Sequence, residues 1–584
     1  MTKERKEQKA TAGEILKTFA DNTTAHGCGS ISRSNHKFGK FIWSVIFITC
    51  IVTACQGLVA IFIRYFGYPT TDTVTYARKN LEIPSVTICS LFPFTISSMA
   101  SIQPDPNTEL YKLVTLFHSY TNGITNGERK KEFTSHKNRI NSYAALFENT
   151  EDDQKMLYNH DLPSMLEQCF FNGKPCDTSF FSEISNANYQ KCFTFNGAGL
   201  NLTNMTALRT DPNSGLSMVL FLDAYKSNYS LENGMVYNPE NPNSGTTGIH
   251  VTIHSPQTIP YPTIEGFDVP PGYSTTIGLT PIAREKLPEP YGVCTSQEYI
   301  EGTDFRYSEL GCFGQCAQKE IMVQCGCISA YLPYPNDTQG MIYCGDLDLD
   351  NFLNPLGPNV TLLDDDFNSL ECEDRLMNQG FVDNMTERCP QCLAPCKVMK
   401  YEQTISQAYW PFDHVQAMFL QELFNIHDNN TRRSNKLFED FLGEWPANKD
   451  YLINTGMIRK NFLRVNIYFK DFTVETTQQT IAYGLNNMVS DIGGTLGFYV
   501  GISVVTLCEF LSVFWMLIVA CSRKCKSAGA RKSDVVEVMK GRETNQSMYY
   551  GKTQIDNKIA PTQKHHDIHM NTTQANDFSS AFKY

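Results

Sequence analysis

Asp491, Ser503 and Glu509 stand in the stretch DIGGTLGFYVGISVVTLCEF, residues 491 to 510, which is otherwise apolar enough to lie in a bilayer and carries four glycines. Ionisable groups at membrane depth are costly and usually face a bundle interior or a water-filled path, so the chemistry these residues offer is ion conduction. Ser490, Gly494, Gly497 and Gly501 follow one another at spacings of 4, 3 and 4, which on a helix makes one stripe almost free of side chain. Such a stripe permits tight helix packing. It also permits several copies around an axis to line a narrow conduit with backbone, with Asp491 and Glu509 at mouth and base favouring cations. One chain with two spans cannot enclose a pore, so the conduit reading calls for an oligomer.

Other constellations are few. The sequence holds no H-E-x-x-H, G-x-S-x-G or P-loop, so no catalytic residue, metal, cofactor or nucleic-acid partner is expected. His250 and His254 share a strand face in HVTIH but lie roughly 13 Å apart there, too far for one metal, and read as surface or edge histidines. The acidic runs at 346 to 350 and 364 to 366 offer oxygen ligands for Ca²⁺, and read more simply as solvated loop. CFGQCAQKEIMVQCGC and CPQCLAPC have spacings that would suggest zinc or redox chemistry in the cytosol; in an oxidising compartment they read as laddered disulfides.

The elements that position these residues begin with two apolar runs, at 41 to 66 and 484 to 521. Each is long enough to cross about 30 Å of hydrocarbon, and neither has the form of a cleaved signal. Arg33, Lys37 and Lys40 precede the first, and Arg523, Lys524 and Lys526 follow the second, so both termini are expected in the cytoplasm. Residues 67 to 483 are then extracellular, with 49 Asp and Glu against 29 Lys and Arg, while the remainder holds 12 against 20. Fourteen of the 20 cysteines fall in that region: Cys89, Cys169, Cys176, Cys192, Cys294, Cys312, Cys316, Cys325, Cys327, Cys344, Cys372, Cys389, Cys392 and Cys396. An even number in an oxidising compartment predicts seven disulfides, without fixing which cysteines pair. Glycosylation sequons begin there at Asn201, Asn204, Asn228, Asn336, Asn359, Asn384 and Asn429.

IPSVTICSLFPF, HVTIHSP, YSTTIGLTPI and RVNIYFKDFTV alternate as strands, and HVQAMFLQELFNI has helical spacing. The charged region before about Gln190 reads as helix-rich. Residues 1 to 40 and 522 to 584 are polar, and the latter, with no run able to build a core, read as a disordered tail.

DIGGTLGFYVGIS, the cysteine-rich ectodomain and AHG together resemble the degenerin/epithelial sodium channel superfamily along both spans and almost all of the region between. The resemblance implies an α+β membrane protein assembled as a homotrimer in the plasma membrane, surrounded by membrane lipid. Each chain would carry two transmembrane helices and a disulfide-rich extracellular domain with a β-sheet palm, a helical finger at about 93 to 205 and a thumb at about 293 to 400. It implies that Gly501, Ile502 and Ser503 form the selectivity filter, with Ile502 standing where many relatives carry Ala or Ser. Ser490 matches a small residue whose enlargement holds such channels open, Asp491 lies beside it at the gate, and Glu509 matches an acidic residue below the filter. His26 and Gly27 match a cytoplasmic pair that shapes gating.

MLEQCFFNGKPCDTSFF, NYQKCFTFN, VPPGYSTTIGL, LPEPYGVCT and AYWPF are most similar to the invertebrate FMRFamide-gated sodium channels. An amidated Phe-Met-Arg-Phe peptide carries an amine and an arginine but no carboxylate, and an acidic ectodomain attracts such a dication, as it does permeant Na⁺. Phe170, Phe171, Asp177, Phe180 and Phe181 are the aromatic and acidic cluster expected to take it, or else to pack within the finger. A proton-gated or constitutively active channel of the same superfamily is the alternative. An ATP-gated trimer would need a Lys/Arg cluster for the triphosphate. A membrane-anchored ectoenzyme or adhesion receptor leaves Asp491 and Glu509 unexplained.

Overall fold

The computed structural model describes residues 12–97, 148–149, 159–200, 202, 205–226, 245–332, 340–348, 360–377, 385–426 and 449–539. The asparagines of all seven sequons, most of the expected helical finger and the end of the tail lie outside them. The described residues form two compact units, one of residues 12–71 with 480–539, the other within residues 72–479.

The first unit is helical: α1 (Ala12–Asn22), α2 (Cys28–Arg33) and α3 (Lys37–Phe66) from the N-terminal side. α3 is apolar around its whole circumference, as a helix meant for lipid must be. Among the described residues it alone is long and apolar enough to span a membrane by itself. The second apolar run, read from sequence as one span, is broken into two helices, Leu485–Val500 and Val504–Met539, and the apolar pair Leu485–Val500 and Val504–Val519 is bent by 74° at the break. The second of these continues past Lys526, where a coreless tail was expected. A helix satisfies its backbone internally and needs no core, and the Ala, Arg, Lys and Glu of AGARKSDVVEV favour it.

The second unit is built on two sheets. One runs in the order β1 (Thr70–Arg78), β13 (Thr473–Ile481), β10 (Tyr273–Glu285), β12 (Phe462–Phe469), β7 (Leu216–Phe221), β3 (Leu166–Phe171), β4 (Lys174–Pro175), with β11 (Lys397–Tyr409) along β10. The other runs β5 (Phe181–Asn186), β6 (Gln190–Phe195), β2 (Ser85–Ser90), β8 (Ile249–His254), β9 (Phe267–Val269). Every residue of β2 and β8 is buried, although their alternating patterns read as half-buried strands, because both strands lie inside their sheet and are covered on both faces. Ile88, Met218, Val251, Ile277, Leu279 and Ile467 share one buried apolar interior. Val219, the next residue along β7, points to the other face and packs with Phe221 and Leu420.

The structure departs from two expectations in this unit. His250 and His254, expected at a surface or edge, are buried, because β8 lies inside its sheet between β2 and β9. Within the stretch expected to be helix-rich, residues 166–186 carry the strands β3, β4 and β5. The cause is Asn172-Gly173, both at positive φ, a two-residue turn that favours a hairpin and is closed by Cys169–Cys176.

All fourteen cysteines pair, in the pattern 89–192, 169–176, 294–396, 312–392, 316–389, 325–372 and 327–344. Cys312 and Cys316 send their bridges from successive turns of the helix Glu309–Cys325, which Ser308 caps by accepting the Gly311 N–H at 3.1 Å. Cys325–Cys372 ties that helix to Val360–Leu376. The sulfurs that zinc would need are thus consumed, and each bridge restricts the unfolded chain by about 2–4 kcal/mol.

Candidate ion pathway and ligand site

The break in the second apolar run falls on Gly501, Ile502 and Ser503. The helix Leu485–Val500 ends with Gly501 in the left-handed region, φ +71°, where its N–H donates to Gly497 O at 3.1 Å and that of Ile502 to Leu496 O at 3.2 Å. Glycine takes this conformation without the steric cost a side chain would bring. Ser503 then opens the next helix by reciprocal capping. Its Oγ accepts the Thr506 N–H at 3.2 Å, and its own N–H donates to Thr506 Oγ1 at 3.1 Å. Thr506 takes the part that Glu or Gln plays in a capping box.

The small-residue stripe is not spent on packing against α3. A Cβ on Gly494 would meet nothing within 4 Å, and Ser490 and Asp491 are exposed. The close approach to α3 lies elsewhere, where a Cβ on Gly57 would come 3.0 Å from Thr495 Cγ2. Asp491 is held by Tyr483, whose hydroxyl donates to its Oδ2 at 2.6 Å, and the Arg64 guanidinium lies 4.5 Å from the centre of the Tyr483 ring.

His26 and Gly27 meet the same break from the other end of the sequence. The His26 N–H donates to Val500 O at 2.9 Å. Gly27, at φ +92°, leaves room for the Phe47 ring, which a Cβ would approach to 2.6 Å. Just before them, Thr23 Oγ1 and the Thr24 N–H donate to Glu509 Oε2 at 3.0 and 3.1 Å, and Phe19 packs on Phe510 at 5.1 Å. Sequence reading placed His26, Gly501 and Glu509 in one machine but missed Thr23, Thr24, Thr506 and Tyr483. The Ser-x-x-Thr spacing at the start of an apolar run was the available signal for Thr506.

In the second unit, Phe171, Phe180 and Phe181 gather on Phe195, with ring centres 5.5, 6.1 and 5.4 Å away. Phe171 and Phe181 are buried, whereas Phe170 is 41% exposed. Asp177 caps the short turn Thr178–Phe180 by accepting the Ser179 N–H at 2.9 Å. The exposed members of the expected cluster are therefore Phe170 and Asp177.

A spanning helix, a second apolar run broken at Gly-Ile-Ser and a disulfide-stapled β-rich unit encoded between them define a membrane protein of the ion-channel class. The chain belongs to the amiloride-sensitive sodium channel family, whose profile matches residues 19–513. It is 28% identical over 551 residues to the FMRFamide-activated amiloride-sensitive sodium channel of Cornu aspersum, covering 86% of this chain and 83% of that one. It is 24% identical over 518 residues to acid-sensing ion channel 4 of Mus musculus, 87% of this chain and 80% of that one. To degenerin mec-4 of Caenorhabditis briggsae it is 28% identical over 356 residues, 60% of this chain and 38% of that one.

Proposed function

We propose that the chain forms a homotrimeric, sodium-preferring cation channel of the plasma membrane, with both termini cytoplasmic, opened by a short amidated peptide of the FMRFamide type. The observation that carries the conducting role is the break at Gly501–Ser503, capped on both sides and flanked by a stripe that α3 leaves uncovered. Peptide opening is supported by the long match to a channel named for FMRFamide activation. Phe170 and Asp177 are the proposed contacts, since they are the exposed aromatic and the exposed carboxylate of the expected cluster, and a cationic aromatic peptide is met by such groups.

Proton gating is the second reading, favoured by the similarity to acid-sensing ion channel 4. Recording current from cells expressing the chain, with Arg-Phe-amide peptides, ATP and acid applied in turn, separates the readings. Current on peptide alone is the expected result. Current on acid alone assigns the channel to the proton-gated reading.

A further inference from the structure

Three hydroxyls and a carboxylate lie in line beneath the break. Ser503 Oγ is 3.1 Å from Thr506 Oγ1, Thr506 Oγ1 is 2.6 Å from Thr24 Oγ1, and Thr24 Oγ1 donates to Glu509 Oε2 at 3.3 Å. Thr24 donates to the Glu509 carboxylate and each hydroxyl has one proton, so the direction of the whole chain follows from its end. Thr24 donates its O–H to Glu509, Thr506 donates its O–H to Thr24, and Ser503 donates its O–H to Thr506. Thr506 is fully buried, so no water competes for its place.

We infer that Thr506 is a positioning residue for ion selectivity, the pivot of a relay that turns the Ser503 proton away from the ion path and leaves an oxygen lone pair facing it. This rests on reading Gly501–Ser503 as the selectivity filter. The relay joins the filter to the N-terminal segment through Thr24, and aligned hydrogen bonds strengthen one another where water is excluded.

The test is the Na⁺ over K⁺ permeability ratio, from reversal potentials, in the full-length channel. Thr506→Val keeps the shape and removes the pivot, and is expected to change the ratio by about fivefold, the factor a single hydroxyl hydrogen bond supplies. Thr506→Ser should restore the parent ratio. Thr24→Val breaks the relay from the other side without touching the cap, and serves if Thr506→Val fails to reach the surface. Parent-like ratios in both valine variants overturn the inference. Block of Ser503→Cys current by Ag⁺, beyond any block of the parent, tests the filter reading separately. If that block is absent, the filter reading falls and the inference with it.

Discussion

The ring of His26 occupies the space that a side chain at residue 501 would need: a Cβ on Gly501 would lie 2.5 Å from His26 Cγ. Two residues far apart in sequence thus share one small volume at the break in the second apolar run.

Gly501→Ala is expected to abolish or strongly reduce current, through this clash and through about 1 kcal/mol or more of left-handed backbone strain. Adding His26→Ala removes the clash but not the strain, so current should return in part. Whole-cell current normalised to surface protein checks both, and no recovery in the double variant would place the defect elsewhere.

Ser490→Phe adds bulk to an exposed stripe that α3 does not cover. It is expected to leave constitutive current in the absence of peptide. A closed, peptide-responsive Ser490→Phe channel would remove Ser490 from the gate.

Ser503→Ala should change ion preference, and the structure adds a second effect. Loss of the helix cap costs about 1 kcal/mol, so less channel should reach the surface. Ser503→Asn, which retains a capping oxygen, should recover surface expression and not the parent ion preference.

Asp177→Asn keeps an oxygen to cap Ser179 while removing the charge. Truncating one partner of a desolvated charge pair costs about 2–5 kcal/mol, so the half-activating peptide concentration should rise at least tenfold with maximal current unchanged. Replacing the peptide's arginine by citrulline should weaken activation in the parent but cost little further in the variant, where the pair is already broken. An unchanged dose-response would remove Asp177 from the site.

Burial lowers the pKa of His160 and of His254 to about 4. The unfolded chain therefore binds more protons than the folded one between about pH 6.5 and 4, and stability, complete above that window, falls as pH drops through it. By pH 5 the loss is about 2 kcal/mol per histidine. The thermal unfolding midpoint should fall between pH 7.5 and 5, and less steeply in His254→Gln. An equal slope in parent and variant would contradict the assignment.

The sequence by itself determined what local chemistry can specify. Apolar length marked α3, β-branched alternation marked β2, β8, β10 and β12, and an even cysteine count in one region anticipated the seven bridges now seen. Gly501 and Ser503 were legible as residues of a special place. Which cysteines pair was not legible, because fourteen thiols admit many pairings and only the fold brings particular ones within bonding distance. The hairpin at Asn172-Gly173 carried a turn signal that a reading of the region as helix-rich left out. The burial of His250 and His254 depended on which strands flank β8, a matter of topology. Above all, the meeting of Thr24 and His26 with Val500, Thr506 and Glu509 was decided only by the tertiary structure. Contacts between residues more than 470 positions apart leave no periodicity in the chain, and they form because the break in the second apolar run exposes backbone and hydroxyl groups that the N-terminal segment can satisfy.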